Sequence, residues 1–228
     1  KAEFIWIGDG VSRINLKLKS IDGTEINGCG PVIHEGDVQK LIAKLELLQA
    51  GDVLVLAGSI PGSVPDDIYR RIMSEMSGRG IEVVVDATKE LLVNVLEYHP
   101  FLIKPNHHEL GGIFGVELKT REDVIPYARR MQQMGARNVL VSMAAAGAVL
   151  VAEDKSVYET DAPKGILVNG VGAGDSMVAG FLAGWMEKKE YRHAFAMGVS
   201  AGSASAFSER LAEKKEIMDL YRREFTRS

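Results

Sequence analysis

The stretch DVLVLAGSIPGSVPDDIYRRIMSEMSGRGIEVVVDAT, residues 52–88, decides the fold. It opens on an apolar run, "DVLVLAGS", and closes on another, "IEVVVDAT". Between them, "PDDIYRRIMSEMSGRG" carries its apolar residues at helical spacing. A strand with one wet face alternates apolar and polar residues, and neither run does. Strands of this kind joined by a helix belong to a parallel sheet covered on both faces.

The same rhythm extends outward in both directions. Upstream, "GDVQKLIAKLELLQAG" predicts a helix that leads into the first run. Downstream, another helix precedes "FLIKPN", and "REDVIPYARRMQQMGA" predicts the helix before the strand "NVLVSM". The pair "GAVLVAED" and "SVYETDAP" predicts an antiparallel edge. Two helical stretches, 174–190 and 192–208, follow, and a short one closes the chain. Met177, Phe181 and Trp185 recur at i, i+4 and i+8 and are expected on the core face of the first. Residues 32–228 are therefore expected to form one α/β domain with a doubly wound, mostly parallel sheet flanked by helices.

Residues 1–31 follow a different pattern. In "RINLKLKSI", residues 13–21, Ile14, Leu16 and Leu18 fall on one face and Arg13, Asn15 and Lys17 on the other. An Asp22-Gly23 turn and a second short strand around Thr24 to Asn27 complete a small sheet. This segment is expected to be a partial β lid.

Bulk composition excludes several functions. A formal charge of −4 over 228 residues gives no basic footprint for nucleic acid. No run approaches the ~18 apolar residues of a membrane span. The single cysteine, Cys29, excludes an internal disulfide and a multi-cysteine zinc site, and suits a reducing cytoplasm. No secretory signal is visible, and the sequence opens on Lys1 rather than Met.

In doubly wound sheets, ligands sit beyond the carboxyl ends of the strands. The loops there are "AGSIPGS", "DATKE", "KPNHHE", "SMAAAG" and "NGVGAGD". The last, residues 169–175, spaces glycines at 170, 172 and 174 before Asp175 and the helical run "SMVAGFLAGWMEK". A P-loop would follow its glycines with Lys, which is absent. A dinucleotide fingerprint starting at Gly170 would have glycine where Asp175 stands. What remains is an amide cluster at a helix N-terminus, which attracts phosphate, with a carboxylate at its edge. Asp175 could serve as a base, a metal ligand or a helix cap. Phosphoryl transfer fits best: the amides of Gly172, Ala173 and Gly174 would stabilise the transferred group, and Asp175 would accept the proton of the attacking hydroxyl. The cap position would then aim the base.

"VNGVGAGDSMVAGFLAG" resembles the C-terminal signature of the ribokinase-like (PfkB) family of sugar kinases, in which the aspartate of G-A-G-D is the catalytic base. The resemblance runs along the chain. "SRINLKLK" is similar to the lid strand of its phosphosugar kinases, and "LAGSIPGSVPDDIY" to the loop that reads the sugar. "FLIKPNHHEL" resembles the family's K-P-N-x-x-E segment, and "VLVSMAAAGAVLV" its S-x-G-x-x-G nucleotide loop.

The resemblance implies an ATP- and Mg²⁺-dependent kinase acting on a phosphosugar, cytoplasmic, and dimeric through the lid. Arg13 would bind the phosphate already on the sugar and Ser59 its hydroxyls. Lys104 would meet the nucleotide phosphates, and Ser142 to Gly147 would wrap the nucleotide, joined by Gly174. Asn106 and Glu109 read as a capping box and also as a water-mediated Mg²⁺ site, and both readings can hold at once. His107 and His108 are expected at the surface. Two positions depart from the family pattern: Ala144 stands where glycine is usual, and Gly170 where Ser or Thr is common. If position 144 has φ > 0, Ala144 is strained. The family's opening Gly-Gly-x-Gly-x-Asn stretch does not occur in the chain, which is expected to begin inside the lid.

Overall fold

The computed structural model describes residues 2–8, 10–17, 25–87 and 89–226. By contact the chain divides into two units, Lys1–Leu54 with Gly58–Glu82, and Val55–Ala57 with Val83–Ser228. The lid boundary expected at residue 31 lies inside the first unit.

In the first unit, β1 (Asn15–Lys17) and β2 (Glu25–Asn27) pair antiparallel, with Leu16 opposite Ile26. The expected strand over 13–21 is thus three residues long where it is described. The Asp22-Gly23 turn and Leu18 lie outside the described residues. Ile14, Leu16 and Ile26 are 72%, 50% and 56% exposed, so this small sheet carries an open apolar side. Two helices follow the apolar spacing of the sequence. α1 (Glu35–Leu45) buries Val38 and Leu45. α2 (Ile68–Met76) buries Ile68, Ile72, Met73 and Met76 on one stripe. Arg79 ties the end of α1 by donating from Nη2 to the carbonyls of Glu46 and Leu48, orphan acceptors of a helix C-terminus.

The six-stranded sheet runs in the order β3 (Val53–Ala57), β4 (Glu82–Asp86), β5 (Leu102–Ile103), β6 (Asn138–Ser142), β7 (Ala148–Val151), β8 (Val157–Thr160). The β4–β5 and β5–β6 pairs are parallel. β6–β7 and β7–β8 are antiparallel, the edge expected from the sequence. Val84, Val85, Leu102, Ile103, Val139 to Val141 and Val149 to Val151 are fully buried, which is why these segments lack alternation. β5 is short because Pro105 has no N–H for the ladder. Pairing resumes in one isolated parallel bridge between Asn106 and Ser142.

Between the strands lie α3 (Lys89–Val93), α4 (His107–Phe114) and α5 (Arg121–Gln133). After β8 come α6 (Ala173–Lys188), α7 (Tyr191–Ala206) and α8 (Lys214–Phe225). α4 packs on β6, and α5 on β6 and β7. α6 reaches the start of β5 through Phe181 and Trp185, whose rings lie 6.5 and 5.3 Å from that of Phe101. Phe181 is fully buried and Met177 nearly so, as their spacing predicted, while Trp185 is half-buried. The sheet and its flanking helices are the doubly wound α/β class that residues 52–88 predict.

α6 and α7 make the most intimate contact in the second unit, and glycines allow it. A Cβ added at Gly180 would lie 2.5 Å from Ala201 Cβ, and one at Gly184 2.9 Å from Ala194 Cα. From the other side, a Cβ at Gly198 would lie 2.9 Å from the carbonyl oxygen of Met177, and one at Gly202 3.0 Å from that of Ala173. Gly180→Ala should therefore destabilise the protein by about 1–3 kcal/mol through overpacking. Gly112→Ala, in an open and exposed stretch of α4, should stabilise by about 0.5–1 kcal/mol. Urea denaturation midpoints of the two variants should move in opposite directions.

Candidate active site

The carboxyl ends of β4, β5 and β6 and the N-termini of α4 and α6 bring one set of polar groups together. β4 ends on Asp86, and the residue after β5 is Lys104. Their side chains form an ion pair, Lys104 Nζ to Asp86 Oδ1, at 3.2 Å. Both are mostly buried, and Lys104 is only 7% exposed. Burial pushes the Asp86 carboxyl above the ordinary aspartate range. Lys104 pulls it back by its charge and hydrogen bond, while the carboxylates of Asp175 and Glu109 push it up again. Three carboxylates and one ammonium thus share a small region.

Lys104 lies directly beneath the first turn of α6. A Cβ at Gly174 would sit 3.1 Å from Lys104 Nζ, so the glycine leaves room for the ammonium. The N-cap of α6 is Gly172, in the left-handed region at φ 78°, and no side chain caps the helix. Asp175 is therefore the third helical residue, not the cap. The expected capping role is corrected: glycine makes the turn, and the Asp175 side chain is left exposed. The amide of Ala173 donates to Gly170 O at 3.3 Å. That of Gly174 has no acceptor among the described residues. Helix dipole and buried ammonium together give this turn a positive character that favours an anion.

Asn106 and Glu109 form the reciprocal capping box read from their spacing. Glu109 N donates to Asn106 Oδ1 at 2.9 Å, and Asn106 N donates to Glu109 Oε2 at 2.8 Å. One carboxylate oxygen of Glu109 is thereby committed to the cap, and Oε1 is left for another ligand. No cluster of three or more His, Cys, Asp or Glu able to hold a metal exists among the described residues. A donor set this sparse fits hydrated Mg²⁺, which keeps most of its waters, better than a metal held by protein ligands alone.

After β6, the chain from Ser142 turns through a short 3₁₀ segment, Ala144–Ala146, into β7. Met143 N bonds Gly147 O at 2.8 Å, closing the loop. Any side chain at Gly147 would collide with the carbonyl of Thr160. Ala144 has φ 48°, the left-handed conformation for which glycine is favoured and alanine is strained. This loop forms one wall of a cavity of about 760 Å³. Asn106, His107, His108 and Gly174 are among its lining residues, together with apolar ones such as Pro163 and Phe207. Of the two histidines expected at the surface, His108 is exposed and His107 half-buried; both line the cavity, their ring centroids 3.9 Å apart and the rings tilted by 38°.

In the first unit, Arg13 and Ser59 come together, Arg13 Nη1 donating to Ser59 Oγ at 2.8 Å. Both are exposed. The loop carrying Ser59 is anchored by Tyr69 Oη on the carbonyl of Gly58 and by Ile33 N on Ser63 Oγ.

The model of the pfkB family of carbohydrate kinases matches residues 6–217. The chain belongs to the pfkB family of carbohydrate kinases. It is 47% identical over 211 residues to the 1-phosphofructokinase of Bacillus subtilis, covering 92% of this chain and 69% of that enzyme. It is 34% identical over 214 residues to the D-tagatose-1-phosphate kinase of Bacillus licheniformis, again covering 92% and 69%. Among solved structures, Escherichia coli phosphofructokinase-2 in complex with fructose-6-phosphate superposes with a TM-score of 0.82 at 26% identity, covering 94% of this chain and 70% of that one. The chain thus spans about two thirds of the length of these relatives.

Asp86 is the functional candidate that the motif reading passed over. Its signal was present, a carboxylate ending an unbroken apolar strand at the sheet's ligand-binding end, in the loop "DATKE". Its partner Lys104 lies a strand away, so the pairing required the parallel register. For Ala144 the strain is directly testable. Ala144→Gly should stabilise this kinase by about 0.5–1 kcal/mol. Ala144→Val, a β-branched residue worse suited to φ > 0, should destabilise it. Guanidinium denaturation midpoints of the two variants check this.

Proposed function

We propose that this kinase transfers the γ-phosphoryl group of ATP to O6 of fructose 1-phosphate, giving fructose 1,6-bisphosphate and ADP. The observation that carries the reading is Asp175 itself. It is an exposed carboxylate one residue beyond a free amide, at a positive helix terminus backed by Lys104. Asp175 takes the proton from O6 as that oxygen bonds to phosphorus and the bridging oxygen leaves with ADP. In a loose transition state the proton moves late, so a carboxylate suffices as base. The Gly174 amide, with those of Gly172 and Ala173, stabilises charge on the transferred group. Lys104, Asn106, Ser142, Ala144 and Gly147 hold the nucleotide. When bound through water at Asn106 and Glu109, Mg²⁺ would neutralise phosphate charge.

Arg13 and Ser59 are assigned to the phosphosugar. The guanidinium supplies charge-assisted hydrogen bonds to the 1-phosphate, and the hydroxyl a bond to the sugar. The similarity to 1-phosphofructokinase at 47% identity supports this substrate. Tagatose-6-phosphate and fructose-6-phosphate kinases are the neighbouring alternatives within the family, and the 34% identical relative is a D-tagatose-1-phosphate kinase. A non-catalytic sugar-phosphate sensor is the alternative of another class, and the intact G-A-G-D argues against it. Residues 1–31 are assigned to a lid, whose open apolar side at Ile14, Leu16 and Ile26 suits a second copy of the chain. An exposed free Cys29 suits a reducing cytoplasm.

Coupled ADP release measured with each phosphosugar should give the highest kcat/KM for fructose 1-phosphate. No turnover with any of them would support the sensor. Asp175→Asn should lower kcat by about 10²–10⁴-fold while ADP affinity changes little. Retained turnover would remove Asp175 from the mechanism. Arg13→Ala should raise KM for the phosphosugar about 10–100-fold and leave KM for ATP unchanged. An equal rise for both substrates would remove Arg13 from sugar-phosphate recognition.

A further inference from the structure

His107 is the first residue of α4 and lines the cavity. Its Nδ1 is buried and has no hydrogen-bond partner in the protein, and it is the one buried side-chain polar atom in that condition among the described residues. A buried, unpaired polar atom is costly, and native structures keep few of them. The surroundings do not compel this one. The first turn of α4 is already closed by the Asn106–Glu109 box, so His107 is not required as a cap. One side of its ring rests on His108. His107 also lines the cavity.

We propose that His107 is a nucleotide-positioning residue, whose Nδ1–H turns toward the cavity and donates to a phosphate oxygen of the bound nucleotide. The chemistry of the neighbourhood selects an anionic acceptor. Asn106 and His107, at the N-terminus of α4, and Gly174, in the first turn of α6, line the same cavity, so two positive helix N-termini face it. An imidazole N–H in that setting gains most from a charged oxygen. The apolar lining residues, Pro163 and Phe207 among them, suit an uncharged base. The inference rests on the nucleotide reading of the cavity and adds a residue to it. It ascribes the unpaired nitrogen of the free protein to a bond completed only when ligand is present.

Calorimetric titration of the full chain with ADP, ATP and adenosine tests it, using the variants His107→Asn, His107→Gln and His107→Leu. An asparagine amide nitrogen occupies nearly the place of Nδ1, whereas that of glutamine falls nearer Nε2. ADP and ATP affinity should fall about tenfold or more in His107→Gln and His107→Leu. Affinity should stay within about threefold in His107→Asn, and adenosine affinity should be alike in all four proteins. A purely structural role would instead shift thermal stability and weaken adenosine and ADP together, and that result overturns the proposal. Equal ADP affinity in wild type and His107→Leu overturns it as well. If wild-type protein binds neither ADP nor ATP, the nucleotide reading of the cavity fails, and the role of His107 fails with it.

Discussion

The buried ion pair between Asp86 and Lys104 is the constraint around which the site is arranged. Each side chain alone would be an uncompensated charge in a mostly buried position, and removing one partner of such a pair typically costs about 3–5 kcal/mol. The pair also fixes the register of the chemistry. Asp86 ends β4 and Lys104 follows β5, so the bridge holds two parallel strands at one level. Lys104 then supports α6 from below at the point where Gly174 has no side chain. Because Asp86 sits among Asp175 and Glu109 as well as Lys104, three carboxylates face one ammonium, and the formal charge there is negative without ligand. A divalent cation arriving with a polyanion would offset that charge.

Much of the fold was legible in the sequence because the sheet is fully buried. Runs such as "EVVVD" and "NVLVS" carry no alternation, and helices with capping residues separate them. Asn106 with Glu109 signalled one helix start, and that box formed; Thr120 with Asp123 forms another. The small antiparallel sheet near the start of the chain was legible in its alternation: pairing among the described residues spans Asn15–Lys17 with Glu25–Asn27, and Leu18 lies outside them. The G-A-G-D motif pointed to the site, but the cap of its helix was misjudged. Aspartate is favoured at N-caps, and here tight turning at Gly172 took precedence. Through-space features left little sequence trace: the Asp86–Lys104 bridge, the Arg13–Ser59 bond and the histidine wall of the cavity.

Strain and satisfaction are unevenly distributed. Backbone groups of the loop after β6 are closed by Met143 N on Gly147 O and by Gly147 N on Ala144 O. Those bonds hold Ala144 in a conformation that alanine resists. Strain of this kind persists where the surroundings over-determine the backbone, and such places often contact ligand. The unpaired Nδ1 of His107 lies on the wall of the same cavity. Two unrelated local costs at one cavity are easier to understand as features of a binding surface than as separate defects of packing.

The glycine seam between α6 and α7 has a consequence beyond stability. A Cβ at position 202 would lie 3.0 Å from the carbonyl of Ala173, the first residue of α6, two positions before Asp175. A side chain there would push on the helical turn that carries the proposed base. Displacements of about 1 Å at a reacting group can cost about 10² in rate. On that proposal, position 202, buried and far along the chain from any motif, would bear on turnover as well as on packing.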